Sequence, residues 1–570
     1  MKKVKVETAA EALLVLLKER GVDYLFGNAG TDAAPLIEAF ARLQAAGLPA
    51  PKPVTVAHEM CALSMAQGYA RVARRPAAVF VHVSVGTANA AAGIMNAARQ
   101  GVPVLVMAGR TPILEDGATG ARDLRIHWAQ ESYDQAAMVR EYVKWDYELR
   151  DARQLGVVLD RALAAAMAHP QGPVYLALPR ERLMETVGEF SFEERNRLDG
   201  RGASQPDPSS LERAAELVAR ARSPLVVANH MGREPEAVAQ LVAFAEEWGV
   251  PVLEVFRESM NFPADHPLHL GFTPFPLVEQ ADLIIAVETD VPWLPRRGSP
   301  GAGTPVIQVG HDPFFSRYPI RGFPLDVALV GSPALSLAAV RRALEKSRPG
   351  KEREIAARRH RFTAAHHRYL DDRRRVAQAE SAARPISMNW LSRCLGAAAD
   401  ERTLIVNEYD LRSDQLGLNR EGTFLGSSAV SGLGWGFGAA LGAKLAAPDR
   451  TVVCALGDGA YIFNNPIACH MTAVAESIPV LVVIFNNQAW NAVRSAVADV
   501  APDGWAVRGN DYALTHLKPS PEFHRIAEAC GGYGERVEDP AEVPAAIGRG
   551  LKQVRDGKHA LLNVMCALSP

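Results

Sequence analysis

Short runs of β-branched and aliphatic residues alternate with Ala- and Leu-rich stretches along almost the whole chain, and this alternation constrains the fold more than any other feature. The apolar runs are only a few residues long and lack polar alternation, as strands buried on both faces do. The stretches between them are long enough for a helix to cross back over a sheet. The chain is therefore read as α/β, with parallel sheets flanked by helices. Strand-like runs at 24–26, 77–83, 102–108 and 173–178 form one group, runs at 224–228, 250–255, 283–287 and 305–309 a second, and runs at 403–406, 451–456, 479–485 and 560–565 a third. A length of 570 residues suits about three domains. We place them at 1–190, 205–345 and 385–570, with a polar boundary near 199–210.

Segment 346–384 is dense in Arg, Lys and His but interleaved with Glu and Asp, and is read as a solvated linker helix. With a formal net charge of −2, the chain offers no broad field for nucleic acid or an anionic membrane surface. Acidic residues interrupt the N-terminus before any long apolar stretch, and no segment is apolar for long enough to span a bilayer. The six cysteines are scattered without C-x-x-C spacing, mostly inside apolar runs, as reduced core thiols of a cytoplasmic protein are.

Two polar clusters follow apolar strands directly: Gly457-Asp458-Gly459-Ala460 after 451–456, and Asn486-Asn487 after 479–485. Both therefore fall at the carboxyl ends of parallel strands, the edge where open α/β sheets bind ligands. The glycines allow close approach to a diphosphate, while Asp458 offers a carboxylate oxygen and Asn487 an amide oxygen, as Mg²⁺ prefers. Glu59 closes the apolar run 54–57 and opens a helix-like stretch, and Ser431-Gly432-Leu433-Gly434 begins a glycine-rich segment.

Together these motifs resemble the thiamine-diphosphate-dependent 2-oxo-acid decarboxylase and acetohydroxyacid synthase superfamily, with the catalytic loops most similar to benzoylformate decarboxylase. The resemblance covers essentially the whole chain and implies a pyrimidine-binding domain, a middle domain and a diphosphate-binding domain, in that order. It implies thiamine diphosphate and Mg²⁺ as cofactors. The metal would be held by Asp458, Asn487 and the carbonyl of Ala489, and the diphosphate by the Gly457–Ala460 turn. Glu59 would activate the cofactor, Leu433 would wedge beneath it, and the Ser431 carbonyl would accept its amino group.

The resemblance further makes Thr31 a contact for the substrate carboxylate, His82 a proton donor or acceptor and Gln130 a secondary active-site candidate. Ala492, Val493 and Ala496 would line the substrate pocket. The reaction implied is cleavage or formation of a carbon–carbon bond beside a carbonyl, with 2-oxo-acid decarboxylation foremost. A 2-hydroxyacyl-CoA lyase, an acetolactate-synthase-like transferase and a non-catalytic cofactor-binding paralogue are the alternatives. Homodimers or homotetramers with active sites between chains are expected. Asn229-His230-Met231-Gly232 and Glu288-Thr289-Asp290 stand where a flavin site would need glycines and an arginine, so no flavin is expected.

Overall fold

A computed structural model describes residues 1–200 and 202–568. Three parallel sheets, each flanked by helices, make up the chain, and a short antiparallel ribbon of Lys2–Thr8 with Thr186–Phe192 closes the first third. Arg201, within the polar boundary stretch, and the last two residues lie outside the described part. The first sheet runs Lys52–Thr55, Tyr24–Gly27, Ala77–Val81, Val104–Arg110, Val174–Pro179, Asp146–Glu148 across its width. The third runs Phe424–Gly426, Thr403–Glu408, Thr451–Gly457, Leu481–Asn486, Ala560–Met565, Tyr533–Val537.

Numbered along the chain, both sheets have the strand order 2-1-3-4-6-5. The order reverses between the first and third strands of each, and the crevice beyond their carboxyl ends is the topological switch point. In the first sheet it lies beyond Gly27 and Val81, and in the third beyond Glu408 and Gly457. The middle sheet, Val252–Glu254, Pro224–Ala228, Leu283–Val287, Val306–Gly310, Val327–Val330, has the related order 2-1-3-4-5.

The charged segment contains a helix, Glu352–Ala379, but it is not simply solvated. Ile355 and Phe362 join the middle-domain core, and the Arg358 guanidinium donates to the carbonyls of Ala221 and Trp248. The stem of Arg358 and its apolar neighbours thus pin the helix as a strut.

The first and third sheets meet through helices Glu59–Ala73 and Gly436–Ala446. Their backbones approach so closely that a Cβ on Gly442 would fall 1.9 Å from the Met65 carbonyl oxygen. Small residues at this crossing allow the two halves to share one core.

Beneath the second of these helices, His470 and His559 are buried and joined at 3.0 Å, with Tyr461 on the far nitrogen of His470 at 2.9 Å. Burial lowers His470 to about 3 and His559 to about 4. The unfolded chain, with histidines near 6.5, therefore binds more protons than the folded one as pH falls below that value. Stability should be full above pH ~6.5 and decline toward pH 4. Urea midpoints measured across this range check the expectation, and His470→Gln should flatten the decline.

Candidate active site

Two clusters occupy the two equivalent switch points. In the first, Glu59 is the first residue of its helix and is 5% exposed. Its two carboxylate oxygens accept from the side-chain amides of Asn28 (3.1 Å) and Asn89 (3.2 Å). Asn28 follows the first strand, and Asn89 stands on helix Val83–Gln100, which follows the third.

His82 differs from its expected place on a strand. The strand ends at Val81, and His82 caps the next helix. The chain turns here because Val83 takes a φ of +31°, a costly backbone for a β-branched residue. Two bonds hold it: the Val83 N–H donates to Asp32 at 3.3 Å, and Thr87 Oγ1 donates to the Val83 carbonyl at 2.7 Å. The turn puts His82 Nδ1 in a short hydrogen bond with Asp32, itself 4% exposed. A Cβ on Gly30 would lie 2.0 Å from that nitrogen, so the loop 28–32 reaches this position only with glycine there.

Asp32 was not singled out from the sequence. Its hydrogen bond raises the His82 pKa above the usual histidine value, against the opposing effect of burial. It also fixes the tautomer, because with Nδ1–H donated to Asp32, Nε2 is left to accept from Gln130 Nε2 at 3.1 Å. Gln130 Oε1 is buried without a partner, so a turn of the amide would let it accept from a protonated Nε2. Thr31, beside Asp32, is exposed.

In the second cluster, Asp458 begins a helix directly after its strand and is 2% exposed. Its oxygens accept the backbone N–H groups of Gly459 (2.9 Å) and Gln488 (2.7 Å). Gln488 adopts φ +59°, which folds the Asn487–Ala489 loop back onto Asp458. Asn487 Oδ1 accepts from Ala489 N at 2.9 Å, and the Ala489 carbonyl already accepts from Asn491 N at 3.0 Å.

Asp410, also missed from the sequence, follows the neighbouring strand. Its Oδ2 lies 2.4 Å from where a Cβ on Gly457 would be. Burial pushes Asp458 up to about 7, with the Asp410 charge adding to it, and pushes Asp410 up to about 6. Two carboxylates crowded at one strand edge favour a bound cation. Among the described residues no three His, Cys, Asp or Glu side chains converge, so the donors on offer are carboxylate, amide and carbonyl oxygens. That set fits a hard divalent ion whose remaining ligands are phosphate and water rather than zinc.

Within one chain the glycine-rich segment is bonded to the two helices that flank the first cluster. Gly432 bonds Asn96 through its carbonyl (2.7 Å) and its N–H (3.3 Å), and the Gly434 carbonyl accepts from Ser64 at 3.3 Å. Asn89 and Asn96 are seven positions apart, two turns along one helix face. Ser431 is exposed with φ +58°, and Leu433 packs at the margin of the shared core. Ala492, Val493 and Ala496 stand on helix Asn491–Val500, which buries none of its residues in the single chain.

A separate cavity of about 870 Å³ opens at the carboxyl edge of the middle sheet, lined by Arg99, Arg233, Glu234, Glu288, His311 and Tyr318 among others. None of the site residues expected from the sequence borders it.

Comparison with known proteins agrees with this layout. Residues 7–138 match the thiamine pyrophosphate enzyme N-terminal TPP binding domain, 211–340 the central domain and 411–564 the C-terminal TPP binding domain. A sulfoacetaldehyde acetyltransferase from Alcaligenes xylosoxydans xylosoxydans is 26% identical over 98% of this chain and 93% of its own length. A Pseudomonas aeruginosa protein described as a probable 2-ketoarginine decarboxylase is 28% identical over 90% of this chain and 88% of its own. The crystal structure of benzoylformate decarboxylase from Polynucleobacter necessarius superposes with a TM-score of 0.77 at 22% identity, covering 99% of this chain and 100% of the other, and shares the fold. With the three family domains matched in order along its length, the chain belongs to the thiamine-pyrophosphate-dependent enzymes.

Proposed function

We propose that the chain is a thiamine-diphosphate- and Mg²⁺-dependent lyase acting on 2-oxo acids, with carboligation as a second outcome of the same bond cleavage. The observation that carries this reading is the pairing of clusters at equivalent switch points: Glu59 with His82–Asp32 on one sheet, Asp458 with Asn487 on the other. When bound, the cofactor supplies a carbon nucleophile and an electron sink for a bond beside a carbonyl.

The chain's own residues do the rest. Asp458, Asn487 and the Ala489 carbonyl hold the metal, and the Gly457–Ala460 turn holds the diphosphate. Glu59, kept in place by Asn28 and Asn89, would hold the proton that activates the cofactor's ring when it is bound. Leu433 and the Ser431 carbonyl orient that ring. Thr31 meets the substrate carboxylate. The products expected of such an enzyme are an aldehyde, where a proton is delivered after CO₂ is lost, or a hydroxyketone, where a second carbonyl compound is taken up instead. His82 Nε2, set by Asp32 and read by Gln130, holds the proton for the first outcome. Ala492, Val493 and Ala496 carry no acid or base and leave room for an acceptor.

Asp32→Asn should lower the His82 pKa, because the hydrogen bond that raises it is weakened. An activity limb that falls as protonated His82 is lost would then move to lower pH. An unchanged pH profile of aldehyde release would remove His82 from proton transfer.

We read the working unit as a homodimer or homotetramer with active sites between chains. The exposed Ile467, Met471 and Val474 on one helix, and the uncovered helix bearing Val493 and Val500, support a partner surface. No flavin is assigned to the middle domain, where Asn229–Gly232 and Glu288–Asp290 stand in place of the glycines and arginine such a site would want, and the purified protein should lack flavin absorbance. A cytoplasmic setting suits six free thiols. Among the described residues no helix is long and apolar enough to cross a membrane.

The reading is tested with a panel of 2-oxo acids scored for CO₂ release, with and without added aldehyde. Release from at least one acid, with hydroxyketone formed when aldehyde is present, is expected. Release from none, with cleavage of a 2-hydroxyacyl-CoA thioester instead, would replace it.

A further inference from the structure

Glu408 is the last residue of strand Thr403–Glu408 and is 1% exposed. Among the described residues it has no Lys, Arg or His ion-pair partner. Its carboxylate is satisfied by N–H donors alone: Gly434 N at 2.8 Å, Trp435 N at 3.1 Å to each oxygen, Gly436 N at 2.7 Å and Asn464 Nδ2 at 3.0 Å. Burying a charge without a counter-ion is unfavourable unless donors converge on it, and apolar packing would serve stability as well. The donors are the opening backbone groups of helix Gly436–Ala446, where a negative charge also meets the positive end of the helix dipole.

Asn464 extends the arrangement. It caps the C-terminus of helix Asp458–Phe463, and its Oδ1 accepts from Phe437 N at 2.8 Å. Its carbonyl accepts the thiol of Cys61 at 3.0 Å, two residues along the helix that begins with Glu59. Within one chain, Glu408 and Asn464 therefore link the glycine-rich segment to the Asp458 helix and to the helix that begins with Glu59.

We infer that Glu408 is a positioning residue of the cofactor site, its carboxylate setting the backbone at Gly434–Gly436 and through it the placement of Leu433 and the Ser431 carbonyl. The inference rests on the cofactor reading above and concerns the ring-binding half of the site, not the diphosphate half. Glu408→Gln is the sharp probe, because it keeps the shape but turns an NH₂ group toward N–H donors that need an acceptor.

The test is calorimetric titration of the full-length protein, with Mg²⁺ present, by thiamine diphosphate and separately by inorganic diphosphate. In Glu408→Gln the thiamine diphosphate affinity should fall at least about ten-fold while the inorganic diphosphate affinity stays within about two-fold. Glu408→Asp, which keeps the charge, should recover part of the loss. Equal loss for both ligands would mean a purely structural role and overturn the inference, as would no loss for either. If Glu408→Gln does not fold, Asn464→Ala carries the same test, with a smaller selective loss expected and an equal or absent loss overturning it. A wild-type protein that binds inorganic diphosphate but not thiamine diphosphate would refute the cofactor reading itself, a result distinguishable from either.

Discussion

Glu59→Gln is expected to fold, bind thiamine diphosphate and lose about 10²- to 10⁴-fold in kcat/KM, the span typical of a general acid–base group. The change is nearly isosteric, so the helix it opens and its packing remain. What is lost is the exchangeable proton. Both Glu59 oxygens accept from asparagine amides, so a glutamine must also turn its NH₂ toward Asn28 or Asn89, a donor against a donor. A modest drop in melting temperature should accompany the kinetic loss. Steady-state kinetics alongside calorimetry check this, and wild-type turnover in the variant would take Glu59 out of the reaction.

Asp458→Ala is expected to weaken metal-dependent cofactor binding by more than about 100-fold, since losing a mere supporting partner of a metal ligand already costs about 10- to 100-fold. The change also frees the Gln488 N–H that folds the Asn487–Ala489 loop inward, so the proposed metal site would lose a ligand and its geometry together. Asp410 would remain beside the proposed diphosphate site without the cation assigned to Asp458. Mixing purified Asp458→Ala with Glu59→Gln adds a test of chain pairing. If each active site draws its glutamate and its metal carboxylate from different chains, exchanged dimers should regain activity that neither variant shows alone.

Much of this was legible in the sequence because it rests on local rules. The twelve strand runs read from the sequence lie within a residue or two of observed strands, since parallel strands buried on both faces read as uninterrupted apolar segments. The edge strands Lys52–Thr55, Asp146–Glu148, Val327–Val330, Phe424–Gly426 and Tyr533–Val537 and the antiparallel ribbon went unread. Gly457-Asp458 and Asn486-Asn487 were placed at strand ends because the strands run straight into them. The strand reading failed at His82, where 77–83 looks continuous but ends at Val81. The left-handed turn at Val83 has no local signal, since a β-branched residue is a poor candidate for it, and long-range bonds from Asp32 hold it.

Asp32, Asp410 and Glu408 were invisible for a related reason. Each matters through a neighbour across strands, and which strand lies beside which is settled by topology rather than by local pattern. Asp32 meets His82 because Tyr24–Gly27 pairs with Ala77–Val81, and Asp410 meets Gly457 because Thr403–Glu408 pairs with Thr451–Gly457. The charged segment 346–384 was read from composition as solvated, yet its few apolar residues and the stem of Arg358 were enough to dock it.

The central claim is that Asp458 and Asn487 form a metal-dependent thiamine diphosphate site, and the most direct measurement is calorimetry of the wild-type protein titrated with thiamine diphosphate with and without Mg²⁺. The account predicts saturable binding at one cofactor per chain with the ion and little or none after chelation, because the carboxylates of Asp458 and Asp410 repel an unaccompanied diphosphate. Equal affinity in the presence and absence of any divalent ion would contradict it.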